Sequence, residues 1–177
     1  YVLTVAAGWK ARLTHVNGVP VLRHALAGMT LEDKSRYRSL TREYNISYTD
    51  ALNPSEKVTA GRFWLPGETG AQISLEEGFG RRAGLRLGDV LRFDIQGRPV
   101  EGPVTSLRSI DWMSMRPNFF VVLTPGLVRN APQTFIASLR IRDAPAIAAF
   151  QKELVGRYPS VSVINVSMVL DNVQRVL

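Results

Sequence analysis

The residue types that could do chemistry are few in this chain of 177 residues, and their spacing excludes most reactions. There is no cysteine, so disulfides and thiolate metal sites are ruled out, and His15 and His24 are the two imidazoles. They flank an expected hairpin without Asp, Glu or Cys at ligand spacing, so no metal site is expected. Glu76 and Glu77 are adjacent carboxylates, but neighbours on a helix point apart, so acid and base roles would need another partner; they read better as anions at a helix's positive pole. Gly78 to Gly84 (GFGRRAG) lacks the Gly-Lys-Ser/Thr ending of a phosphate loop and the spacing of a dinucleotide fingerprint. No serine sits in Gly-x-Ser-x-Gly. No catalytic, metal or cofactor site can be assembled, and an enzyme is not expected.

What remains is positive charge and a cluster of rings. The formal net charge is +7. Arg81, Arg82, Arg86, Arg92 and Arg98 are interleaved with glycine and apolar residues, which argues against a nucleic-acid patch and reads as a solvated face. Arg108 to Phe120 (RSIDWMSMRPNFF) holds Trp112, Phe119 and Phe120. Two readings stand for these rings: buried anchors, or a surface for a partner or apolar ligand.

The elements that must position these residues follow from local pattern. Around Leu13 the sequence alternates and then meets Asn17-Gly18, a hairpin signal. Thr30 can cap a helix, with Asp33 in capping-box relation. Tyr44, Ile46 and Tyr48 share a strand face. Ile73 to Leu85 reads as a strand end followed by a helix capped near Ser74 and stopped at Gly84. Val90 to Ile95 and Val100 to Leu107 read as strands about a turn at Gln96-Gly97. Thr134 to Arg142 alternates as a strand, Asp143 caps a helix with Pro145 in its first turn, and Tyr158-Pro159 ends it. Ser160 to Val166 is expected as a strand, and Ser167 to open a last helix carrying Val169, Leu170, Val173, Val176 and Leu177 on one apolar side.

The hydrophobic fraction of 45% and charged fraction of 21% are those of a folding protein. Apolar runs such as Phe119 to Leu123 fall far short of the roughly 20 residues a membrane helix needs. Tyr1 to Ala7 begins inside an apolar stretch with no initiator Met, and the last helix has no stop signal, so the chain is expected to be a piece of a longer one. Glycine and proline become frequent between Asn53 and Pro132. The expected class is α+β: a discontinuous α/β subdomain from 1–52 and 133–177, with a small β-rich subdomain, 53–132, inserted in it.

Several motifs carry a resemblance: AGRFW (60 to 64), ISLEEGFGRRAGLRLGDVLRFDIQG (73 to 97), VTSLRSIDWMSMRPNFFVVLTPG (104 to 126), APQTFIASLRI (131 to 141) and, upstream, RLTHVNGVPV (12 to 21). Together they resemble the extracytoplasmic domain of FtsX-like, MacB-type ABC transporter permeases, and most of all the large permeases partnered with a periplasmic lysophospholipase/thioesterase. The resemblance covers most of the chain from Asn45 and is most specific at Asp111-Trp112 and at Arg116 to Phe120.

The resemblance implies a periplasmic domain of a bacterial inner-membrane protein, its α/β part porter-like, a βαβ unit. A cytoplasmic ATP-binding subunit would drive it, and the work would be mechanical: extraction or export of lipid-like molecules, with a periplasmic hydrolase and lipid as candidate partners. Arg81, Arg82, Arg86, Trp112 and Arg116 are then the candidate partner or cargo surface, and Val169, Leu170, Val173, Val176 and Leu177 the candidate coupling helix. The alternative is a passive binding module for anionic lipid or a cell-envelope ligand.

Overall fold

The computed structural model describes residues 3–21, 28–114, 116–128, 134–141 and 143–165. Strand β1 (Leu3–Val16) opens the chain. Trp9, Ala11 and Leu13 are buried between exposed Lys10 and Arg12, the alternation a half-buried strand requires. Asn17 and Gly18 take positive φ and turn the chain into the two-residue β2 (Val19–Pro20), with His15 opposite Pro20. Helix α1 (Leu31–Thr41) starts where Thr30 Oγ1 accepts from the Asp33 amide at 3.1 Å. Acidic Glu32 and Asp33 occupy its first turn and Arg38 its last, matching the helix dipole. It buries no residue fully.

Strands β3 (Glu43–Tyr48), β4 (Glu56–Gly61) and β5 (Ile73–Glu76) follow, then helix α2 (Glu77–Ala83). The expected cap at Ser74 is corrected here. Ser74 lies inside β5, fully buried, accepting from Ser106 Oγ at 2.8 Å. Glu76 is the cap instead, its carboxylate accepting from the amides of Gly78 and Phe79. A carboxylate reaches these amides as a serine hydroxyl does and adds charge at the dipole's positive end. Gly84 ends α2 in the left-handed conformation, φ 68°.

β6 (Val90–Ile95) turns at Gln96-Gly97 into β7 (Arg98–Ile110), which is followed by β8 (Val121–Leu123) and β9 (Thr134–Leu139). The ladders join these strands into a ring. β1 pairs with β3, β3 with β8, β8 with β5, β5 with β7, β7 with β6, and β6 returns to β1. The β3–β8 and β5–β7 pairs are parallel and the others antiparallel. β1 closes the ring because Ala11 and Arg12 have a ladder partner on each side, Tyr44 and Glu43 in β3 and Ile95 and Asp94 in β6. β4 extends the sheet from β7, while β2 and β9 pair with β1. Closure leaves the six barrel strands no free edge over their paired lengths.

One apolar cluster fills this barrel: Trp9, Leu13, Tyr44, Ile46, Leu75, Leu91, Phe93, Val121 and Leu123 come from its strands, and Phe79, Ala83 and Leu85 from α2 and its exit. A second, smaller cluster joins Trp64, Phe119 and Val122. The sequence-based line between 1–52 and 53–132 is crossed by the β1–β6 and β3–β8 ladders, so strands from both segments share one core. Compositional change at Asn53 marks denser turns.

Contacts divide the chain into a unit of residues 4–138, which holds the barrel, and a unit of residues 1–3 and 139–177. In the second, Asp143 caps α3 (Ala144–Arg157) by accepting from the Ala146 amide at 3.1 Å, and the Tyr158 amide closes its end on Leu154. The strand expected over Ser160 to Val166 is not formed among the described residues: 160 lies in a turn and 161–165 have no ladder. Val161 and Ile164 are exposed. Alternation needs a partner edge and a surface to bury against before it becomes a strand. His24 and the candidate coupling residues Val169, Leu170, Val173, Val176 and Leu177 lie outside the described residues.

Candidate functional site

Three of the arginines singled out in the sequence, Arg81, Arg82 and Arg86, line one groove. α2 is short and ends at Gly84, which brings Arg81 and Arg82 of its last turn beside Arg86 in the loop to β6. α1 lies alongside and adds Arg36, Ser35 and Glu32, and the β1–β2 turn adds Asn17. Together with Asp89 these residues line an open depression of about 640 Å³.

The hairpin and loop walls are fixed by ordinary hydrogen bonds. Asp89 Oδ2 accepts from the Arg86 amide at 2.8 Å, and its Oδ1 accepts from Asn17 Nδ2 at 2.9 Å. Asn17 Oδ1 accepts from the Val90 amide at 2.8 Å, which ties the hairpin turn to the loop. Gly84 is needed twice over. Its φ is left-handed, and a Cβ there would lie 2.8 Å from Arg36 Nε, so the glycine lets that guanidinium lie across the carbonyl end of α2.

The other two candidates stand elsewhere. Trp112 opens a 3-10 turn (Trp112–Ser114), is 49% exposed, and packs on Phe120 at a ring distance of 5.2 Å. Phe120 contacts Tyr44 and Phe79, and Arg42 sits 4.5 Å above the Tyr44 ring. Burial raises the pKa of the Tyr44 hydroxyl, opposed by the nearby charges of Arg42 and Arg82. Trp112 is thus a half-exposed lid on an aromatic cluster, while Phe119 is a buried anchor. Arg116 is half-buried and lines no part of the groove.

Sequence reasoning missed Arg36 as a groove residue, and it missed Arg108 altogether. Arg36 reads as one charge among several on a surface helix, and only its position across Gly84 distinguishes it. Arg108 shares the inward face of β7 with Val100, Val104 and Ser106, although a charged residue on a strand ordinarily signals the solvent side. Its guanidinium is fully buried, with Nη1 3.1 Å from Glu56 Oε1 and Nη2 donating to the Phe119 carbonyl at 2.7 Å. Burial pushes its pKa down, opposed by Glu56 and Glu76. The pair anchors the segment from Arg116 to Phe120, which Ser55 also holds through Asn118 Oδ1 at 3.1 Å.

Compared with curated proteins, the chain is similar to the uncharacterized ABC transporter permease YbbP of Escherichia coli (strain K12). The two are 28% identical over 164 residues, which cover 93% of this chain and 18% of that permease. No family model matches, and no solved structure matches either. The chain is a homologue of a segment of an ABC transporter permease, and no helix among the described residues is long and apolar enough to cross a membrane.

Proposed function

We propose that this chain is the periplasmic, extracytoplasmic domain of an FtsX-like, MacB-type permease. A cytoplasmic ATP-binding subunit drives the permease, and the domain passes that motion to mechanical work on lipid-like molecules. The carrying observation is the alignment: nearly the whole chain matches 18% of a permease, as one domain of a larger membrane protein would. The closed barrel supports the mechanical part, because a ring of hydrogen-bonded strands moves as a body. The half-exposed Trp112 supports docking of a periplasmic hydrolase such as a lysophospholipase/thioesterase.

The location is tested with Val19→Cys, at an exposed hairpin position in a chain without cysteine, placed in a cysteine-free version of the full-length permease. A membrane-impermeant maleimide labels it in intact cells if the domain is periplasmic; labelling only after lysis overturns the placement. Docking is tested by capture of a periplasmic hydrolase on the permease, with loss on Trp112→Ala or Arg116→Ala as the expected result. The arginine groove favours a second reading, a passive module for an anionic lipid or envelope ligand. Binding of anionic lipid by the permease that is unchanged when the partner ATPase is inactivated, with no lipid moved in either case, would select it.

A further inference from the structure

We infer that the groove between α1, α2 and the loop to β6 is a binding site for a phosphate-bearing ligand, gripped by Arg36 and Arg86. This inference concerns the groove and holds whether or not the chain serves a permease. Four arginines line the depression against two carboxylates, Glu32 and Asp89. Arg81 and Arg82 are drawn back by Glu77 and Glu76, at 3.6 and 3.7 Å. Asp89 is committed to the Arg86 amide and to Asn17. Glu32 stands on the rim, exposed. Among the described residues, the guanidinium groups of Arg36 and Arg86 have no carboxylate within ion-pair distance.

The chemistry of the lining selects the class of ligand. Planar guanidinium forks match tetrahedral phosphate oxygens two at a time, and an anion carrying two charges can satisfy both free arginines at once. The lining is mostly polar, Ser35 and Asn17 joining the arginines, so the ligand's charged part belongs there rather than an acyl chain. The depression is also larger than one phosphate needs, which leaves room for the group that carries it. A phospholipid headgroup and a soluble phosphoester share this chemistry, and the test separates them.

The experiment uses the 177-residue chain at about 0.15 M salt, where loose attraction between exposed charges is screened. Inorganic pyrophosphate is titrated by calorimetry. In parallel, the chain is co-sedimented with phosphatidylcholine vesicles, with and without phosphatidic acid. The variant Arg36→Gln/Arg86→Gln is compared with Arg98→Gln/Lys57→Gln, which removes the same charge from exposed positions outside the groove. Unchanged thermal melts establish that both are folded.

The expected result is saturable binding weakened about tenfold or more in the groove variant and unchanged in the control, since two charged hydrogen-bonding groups are removed. Amide shifts on binding should centre on Asn17, Gly84 and Asp89. Binding of pyrophosphate without vesicle preference identifies a soluble ligand, and binding of phosphatidic acid vesicles alone identifies a headgroup. Equal weakening in both variants, or no saturable binding of either probe, overturns the inference.

Discussion

Arg108 and Glu56 are the residues whose removal should be felt most. A buried guanidinium persists only with a counter-charge, and Glu56 supplies it at 3.1 Å with both side chains essentially out of water. Glu56→Gln leaves Arg108 buried and charged without that partner, and should destabilise the chain by about 3–5 kcal/mol in urea unfolding. Replacing both, as Glu56→Leu/Arg108→Met, should recover most of this, because the cost lies in the orphaned charge more than in the lost pair. A loss below about 1 kcal/mol in the single variant would show that Glu76 and the Phe119 carbonyl hold Arg108 by themselves. The arginine was visible in the sequence, but its burial was not, since charge on a strand ordinarily signals the solvent side.

Among elements, the junction of β4 with β7 is the least tolerant. Gly61 closes β4 just past a register shift between Val58 and Ala60, with φ 74°. A Cβ there would lie 2.3 Å from the Thr105 carbonyl oxygen and 2.8 Å from Leu87 Cδ2. Backbone must move to admit it. Gly61→Ala should therefore cost about 2–4 kcal/mol, combining the left-handed penalty with overpacking. Gly84→Ala should cost only about 1–2 kcal/mol, because its obstacle is the movable Arg36 side chain. Urea midpoints of the two variants measure the difference. β4 escaped the sequence reading because Asn53-Pro54 and Pro66-Gly67 frame it as a turn-rich stretch, whereas its pairing to β7 crosses about fifty residues.

At the scale of the molecule, the closed ring predicts joint unfolding. Native-state hydrogen exchange should give the paired amides of β1, β3, β5, β6, β7 and β8 similar, high opening free energies, because no barrel strand leaves without breaking two ladders. α1, which buries no residue fully, should open at much lower free energy. Exchange of β1 and β3 separate from β5 to β8 would place a stability boundary at residue 52, as the expected discontinuous division requires.

By itself the sequence determined what a few neighbouring residues decide. Asn17-Gly18 makes its hairpin, Thr30 and Asp143 cap their helices, Gly84 stops α2, and Gln96-Gly97 reverses β6 into β7, all because sterics and hydrogen bonds within one turn suffice. Tertiary structure alone decided the rest. β6 returns to β1 across some eighty residues, β3 finds β8 in parallel, Ser160 to Asn165 find no partner edge, and Arg36 of α1 lines the same groove as Arg86 of the loop to β6. A strand's pattern specifies which face it buries and leaves open which edge it meets. The barrel and the groove both depend on that second choice, which is made by packing at long range.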